Sequence, residues 1–237
     1  MSDTLLTVAH LDAWYGRAQV LFDLGLEVKR GEVVALMGRN GAGKSTTMKA
    51  VMGLLERKRG SVQFMGHDIA GLDAFRIARL GLGFVPENRR IFTDLTVVEN
   101  LEIGRQPARA GIPEWTHERL FRLFPNLGEM PGRMGGSMSG GEQQMLTVSR
   151  TLMGNPYLVL LDEPSEGVAP VIVEQMAGMI LELKQQGVSI LLSEQNLHFA
   201  ELVSDRAYVL EKGQIRFEGS MEALAENQQV RKAYLEV

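Results

Sequence analysis

The spacing of apolar residues changes several times along this chain, and each change marks an element. Leu5–Trp14 alternates loosely between apolar and polar residues, as a half-buried strand does. Leu24–Val28 reads as its antiparallel partner and ends at the turn Lys29-Arg30-Gly31. Val33–Met37 is an unbroken apolar run of strand length, which fits a strand covered on both faces. From Thr47 the period lengthens: Met48, Val51, Met52 and Leu55 recur at helical spacing, so Thr47–Leu55 predicts a helix. Ser61–Phe64 with the Gly66 turn predicts a short hairpin strand, Asp73–Leu80 a helix, and Gly81–Val85 a buried strand.

Beyond Pro86 the pattern turns helical. Residues 87–155 hold helix-like pieces at Val97–Ile103, Glu118–Phe124 and Glu142–Met153, separated by Pro107, Pro113, Pro125, Pro131 and Gly132–Gly141. No strand pattern occurs there, so 87–155 reads as a helical insertion in an α/β chain. The alternation resumes with the strand Tyr157–Leu161. The helix Val171–Lys184 follows, with Ile172, Met176, Met179, Ile180 and Leu183 on one face, and then the strand Val188–Leu192. Ala207–Leu210 and Ile215–Phe217 flank Glu211-Lys212-Gly213-Gln214 as a hairpin, and Met221–Val237 is helical in pattern and polar. There is no internal repeat. The expectation is one domain over 1–237, with 1–86 and 156–237 forming the core and 87–155 a helical subdomain.

Composition narrows the function classes. The chain has 237 residues, of which 45% are hydrophobic and 23% charged, the ordinary globular range. With no cysteine it has neither a disulfide framework nor a thiolate metal site. Net charge is −4 and no dense Lys/Arg cluster marks a nucleic-acid or lipid surface. The densest basic triplet, Arg57-Lys58-Arg59, reads as a solvated turn after a helix. Met1–Asp12 lacks the basic flank and apolar block of a signal peptide. No apolar run approaches the ~18–20 residues that cross a bilayer. A membrane role would therefore require another protein to hold this one there.

The chemistry is concentrated in Gly38-Arg39-Asn40-Gly41-Ala42-Gly43-Lys44-Ser45-Thr46, which fits G-x-x-x-x-G-K-[ST]. A strand, a glycine loop and a helix N-terminus in that order aim backbone N–H groups and the positive end of the helix dipole at one anion. Asn40, Gly41 and Gly43 lie within that loop; Lys44 would reach the β/γ-phosphates of a nucleoside triphosphate, and Ser45 would ligate Mg²⁺. A glycine turn that binds nothing would match the fixed positions in only about one chain in a hundred of this size. Upstream, Tyr15-Gly16 could stack a ring on an adenine face, or be a half-buried aromatic at a strand end.

Two further pieces fit the first. The strand Tyr157–Leu161 ends in Asp162-Glu163: Asp162 is placed to hold Mg²⁺ and Glu163 to act as general base on an attacking water. Met138-Ser139-Gly140-Gly141-Glu142-Gln143-Gln144 reads as an N-cap followed by a second backbone N–H nest. One chain with one complete phosphate loop has no need of a second nest. Ser139, Gly140, Gly141 and Glu142 are thus expected to cap the γ-phosphate of an ATP held by another copy or a homologous subunit.

On these motifs the chain resembles the nucleotide-binding subunits of ABC transporters over essentially its whole length. Val85-Pro86-Glu87-Asn88-Arg89-Arg90-Ile91-Phe92, Ser139–Leu146, Asp162–Pro170 and Ser193-Glu194-Gln195-Asn196 resemble more narrowly the LivF-type ATPases of branched-chain amino-acid importers. The resemblance implies an α/β fold. Its P-loop NTPase (RecA-like) core would carry an N-terminal antiparallel β subdomain and a helical insertion. It implies ATP and Mg²⁺ as ligands, hydrolysis of two ATP between two ATPase subunits, and transmembrane permease subunits as partners. A periplasmic or extracellular solute-binding protein would be an indirect partner, with no nucleic acid involved. The expected location is peripheral, on the cytoplasmic face of the inner (plasma) membrane.

Departures from the family pattern bear on mechanism. Counting ten positions back from Asp205, where the family's switch histidine is expected, gives Gln195, and none of the four histidines falls there. Glutamine donates a hydrogen bond to a phosphate oxygen but carries no proton, so Glu163 would do the acid–base work and Gln195 would orient. Glu87 stands where the family has a Mg²⁺-sensing glutamine; it could ligate Mg²⁺, with Arg89 and Arg90 either offsetting its charge or binding the membrane partner. Ala169 replaces a common aspartate and Met138 the usual leucine. The competing readings are the ATPase of another transporter (for urea, an amide, an aromatic compound or an exported lipid), a soluble ABC-type ATPase, and an ATP-gated regulatory subunit.

Overall fold

β1 (Thr4–Tyr15) and β2 (Ala18–Lys29) form an antiparallel hairpin in the computed structural model, which describes residues 3–235. β2 begins six residues before the apolar pattern does. Its first residues are half-exposed at a sheet edge, where no alternation is required. β3 (Val33–Met37) is buried at every position and runs through the glycine loop into α1 (Lys44–Val51). β4 (Arg57–Phe64) and β5 (His67–Asp68) complete a four-stranded sheet in the order β2-β1-β4-β5.

Here one expectation fails. Arg57, Lys58 and Arg59 are not a turn; they open β4, opposite Trp14, Ala13 and Asp12. Each cation has a local anchor. The Arg57 guanidinium lies 4.8 Å from the Trp14 ring centroid, and Lys58 Nζ donates to the Ala50 carbonyl at 2.7 Å. Arg59 donates to Asp12 at 2.7 Å. Long aliphatic stems let such residues lie along a sheet while their heads find acceptors.

α2 (Ala74–Leu80) leads into β6 (Leu82–Val85). Between β6 and the next strand come α3 (Val97–Gly104), α4 (His117–Leu123), α5 (Pro125–Gly128), a 3₁₀ turn at Gly135–Ser137 and α6 (Gly140–Leu152). One isolated bridge, Thr96 to Met134, is the β pairing assigned there among the described residues. The chain continues through β7 (Leu158–Asp162), α7 (Pro170–Gln185), β8 (Ser189–Glu194) and α8 (Leu197–Val203). The hairpin β9 (Arg206–Glu211) and β10 (Gln214–Ser220) precedes α9 (Met221–Glu226) and α10 (Gln228–Tyr234). The expected single C-terminal helix is thus two. Asn227 ends the first and its side chain caps the second through Val230 N; Glu236 and Val237 lie outside the described residues.

The second sheet has the order β10-β9-β3-β8-β7-β6, parallel throughout except for the β9–β10 hairpin. Its central strands are covered on both faces, which is why they read as unbroken apolar runs. In β7, Leu158 and Leu160 pack toward α1 and the antiparallel sheet, whereas Val159 and Leu161 pack toward α6 and α7. This layering puts the C-terminal ends of β3, β7 and β8 side by side: Met37 pairs with Glu194, and Asp162 with Ser193. In parallel sheets ligands bind at that edge.

Candidate active site

The glycine loop is shaped by what it leans on. A Cβ on Gly38 would lie 2.4 Å from the Leu210 carbonyl oxygen at the end of β9. Gly43 adopts φ 115°, and a Cβ there would meet Leu21 at 2.9 Å, so both positions require glycine. The loop is also tied from behind: Gly213 N, in the β9–β10 turn, donates to the Ala42 carbonyl, and the Gly213 carbonyl accepts from Phe22 N in β2. Gly43 supplies no side-chain cap to α1, which leaves the first N–H groups of the helix for an anion. Lys44, only 3% exposed, turns back into the loop. Its Nζ lies 2.6 Å from the Gly38 carbonyl, 3.2 Å from that of Arg39 and 3.0 Å from Glu163 Oε1.

The next residue reaches the acid pair. Ser45 Oγ donates to Asp162 Oδ1 at 3.0 Å, and Ser193 Oγ donates to the same oxygen at 2.6 Å. Burial pushes the Asp162 carboxyl above its ordinary value, and the two hydroxyl hydrogen bonds oppose that. The donor set suits Mg²⁺: Ser45 and Asp162 offer hard oxygen ligands beside an anion-binding loop. No group of three or more His, Cys, Asp or Glu forms an all-protein metal cage among the described residues. Glu163 leaves β7 in the left-handed region, φ 47°, a conformation that costs a non-glycine residue about 1–3 kcal/mol. Its N–H is held by the carbonyl and hydroxyl of Ser193, both at 3.1 Å. The Glu166 carboxyl is pushed up to about 7, first by its hydrogen bond with Glu163 and then by burial and the nearby Glu163 and Glu87 charges.

Three clefts gather most of the candidate residues. Gly41, Gly43, Lys44, Ser45, Thr46 and Glu163 line one of about 180 Å³. Asn40, Glu163, Glu166, Glu194 and Gln195 line a second, of about 250 Å³. Tyr15, 49% exposed, shares a third of about 520 Å³ with Lys49, Glu87, Arg90 and Asp162. Gly38 backs the loop from behind. Ser139, Gly140, Gly141 and Glu142 line none of these three.

Those four residues instead complete a cap on α6. Ser139 N donates to Glu142 Oε2 at 2.6 Å while Ser139 Oγ accepts from Glu142 N at 3.4 Å, a reciprocal capping box. The backbone N–H of Ser139 holds the Glu142 carboxyl below its usual value. The segment after Glu87 braces this helix. Arg89 and Arg90 both have positive φ, and their carbonyls accept from Thr147 Oγ1 at 2.9 Å and Arg150 at 2.7 Å. The Arg89 guanidinium lies so close over Gly140 that a Cβ there would stand 2.7 Å from Nη1. The residues that sequence reasoning left without a role are Ser193, Glu194 and Glu166. The available signal was two polar residues closing the apolar run of β8.

A family profile described as "ABC transporter" matches residues 21–166. The chain belongs to the ABC transporter ATP-binding family. This ABC ATPase is 43% identical over 231 residues to the high-affinity branched-chain amino acid transport ATP-binding protein BraG of Pseudomonas aeruginosa, covering 98% of this chain and 99% of that one. It is 33% identical to the lipopolysaccharide export system ATP-binding protein LptB of Haemophilus influenzae, over 98% and 97% of the two chains. Among solved structures, the ADP conformation of MJ1267, an ATP-binding cassette of an ABC transporter, superposes with a TM-score of 0.81 at 27% identity, covering 98% of both chains. No helix of the ABC ATPase is long and apolar enough to cross a membrane among the described residues.

Proposed function

We propose that this ABC ATPase powers an importer of branched-chain or related hydrophobic amino acids, working in a pair that sandwiches two ATP molecules. The observation that carries the paired arrangement is the separation described above: the phosphate loop shares two clefts with Glu163 and is bonded to Asp162 through Ser45, while the capped Ser139 segment lines none of the three clefts. The α6 N-terminus would then complete the site of a second ATPase subunit, identical or homologous. BraG, a branched-chain amino acid transport protein, supports the cargo class, since its 43% identity exceeds the 33% of LptB. LptB supports the second reading, an exporter ATPase.

In this mechanism the loop N–H groups and Lys44 bind the β/γ-phosphates, and the exposed Tyr15 ring takes the adenine. Ser45 and Asp162, with Glu87 in the adjoining cleft, would hold Mg²⁺, which when bound neutralises phosphate charge. Water attacks the γ-phosphorus in line as the bond to the β–γ bridging oxygen breaks, and ADP and inorganic phosphate leave. Glu163 accepts its proton, Gln195 donates a hydrogen bond to a γ-phosphate oxygen, and the partner's α6 N-terminus stabilises the charge on the transferring group. Residues 87–155 would move as a unit against the core when the pair closes.

An apolar groove of about 610 Å³ between α2, α3 and the end of α6 would receive a cytoplasmic helix of the permease. Its rim exposes Leu54, Phe75, Phe92 and Ile103, each at least 44% accessible, which is costly unless covered. That contact would hold the ATPase at the cytoplasmic face of the membrane, the solute-binding protein acting only through the permease. The test is to purify the complex through this chain and measure ATP-driven leucine uptake by vesicles containing it. Uptake is expected; a complex that moves lipid and no amino acid would replace this reading with the exporter.

A further inference from the structure

The last two residues of β8 do more than end a strand. Ser193 holds Asp162 and the Glu163 N–H, as described. Glu194, 2% exposed, is the other half of the arrangement. Its Oε1 accepts from Ser165 N at 3.2 Å, and its Oε2 accepts from Gln195 N and Asn196 N at 3.1 Å each. Two separate turns thus meet on one carboxylate: the one that follows Glu163 and the one that carries Gln195. Burial raises the Glu194 pKa, opposed by hydrogen bonds from Ser165, Asn196 and Gln195. A carboxylate so buried is costly, and an apolar residue would extend the β8 run without that cost while leaving three N–H groups without this acceptor.

We propose that Glu194 is a positioning residue that fastens the turn after Glu163 to the turn carrying Gln195. The base and the γ-phosphate donor then keep one spacing through the catalytic cycle. The proposal rests on the roles given above to Glu163 and Gln195. The need for a carboxylate follows from its two equivalent acceptor oxygens, one for each turn. Glutamine has one such oxygen, and its amide nitrogen would face an N–H donor whichever way it is flipped. Aspartate is one methylene too short to reach both turns.

The test uses the full chain, ¹⁵N-labelled, as wild type and Glu194→Gln. The expected result is that the Ser165, Gln195 and Asn196 amide resonances all move. With the membrane partner present, kcat should fall about 10- to 100-fold while KM for ATP stays within about twofold, the pattern of misplaced reacting groups. Thermal stability is recorded alongside. An unchanged kcat, or a kcat loss matched by equal loss at KM and a collapsed melting transition, would overturn the positioning role. The amide shifts judge the brace even if the wild type proves not to hydrolyse ATP, so failure of the ATPase reading and failure of this proposal are distinguishable.

Discussion

The phosphate loop and the α6 N-terminus are both helix starts opened by glycines, and both are proposed to face phosphate, yet they are held in opposite ways. Around the loop, Lys44 and Asp162 are almost wholly buried and bonded to residues from the glycine loop, the start of α1, the end of β8 and the turn after β7. At α6, Ser139 and Glu142 satisfy each other across a single helical turn. The two carboxylates record the difference: burial raises the Asp162 pKa, whereas a backbone N–H lowers that of Glu142. One nest is assembled by tertiary packing and carries the proposed reacting groups. The other is set by local sequence and is complete before anything docks on it. A site divided in this way can be switched by bringing two chains together.

Substitutions that affect one nest and spare the other would sharpen or break this contrast. Glu163→Gln should have the largest effect, lowering hydrolysis about 10²- to 10⁴-fold while ATP binding persists and closed dimers accumulate on size exclusion. Normal turnover in that variant would remove Glu163 from the role of base. Ser139→Ala should reduce turnover about 100-fold, with ATP affinity of the isolated chain unchanged by fluorescence titration. Full-speed hydrolysis by a monomer of this variant would end the two-nest account. Gln195→Ala should cost about tenfold in kcat, the worth of one hydrogen bond to phosphate. Equal rates for variant and wild type would leave Gln195 without a role.

The smallest effect concerns pH. Glu166 rises from an ordinary 4.5 to about 7 in the fold, so the folded chain holds that proton more tightly than the unfolded chain does. Its ionisation therefore erodes stability as pH climbs from the unfolded value through about 7, and the penalty is complete above that. Glu166→Gln removes the penalty. The melting temperature of the variant relative to wild type should grow between pH 5 and 8, modestly because the side chain is largely solvated. A difference flat across that range would show that the fold does not raise the Glu166 carboxyl.

Much of this was readable from sequence wherever one short stretch fixes both structure and chemistry. Val33–Met37 and the glycines lie where the pattern puts them, as do Asp162-Glu163 at a strand end and Ser139 as an N-cap. By contrast, α1 spans Lys44–Val51 rather than the expected Thr47–Leu55, because it starts directly on the glycine loop and stops at the Gly53 turn. What escaped depends on partners distant in sequence. Arg57–Arg59 reads as a turn until Trp14, Ala50 and Asp12 supply its anchors. Ser193 and Glu194 look like the frayed end of an apolar strand, because the donors and acceptors that give them meaning sit at Asp162, Glu163 and Ser165. The split at Asn227 turned on one side-chain cap, too local a device for helical periodicity to reveal.

The tie between Gly213 and Ala42, with Leu210 pressed against Gly38, bears on how the protein is made. The ribosome releases β3 and its loop early, but both strands that flank β3 and the turn behind the loop come from the last quarter of the chain. Nascent chains stopped before Gly213 would lack the support that gives the loop its shape. Nucleotide capture thus waits until the β9–β10 turn has been made, and a product that stops before Gly213 forfeits it.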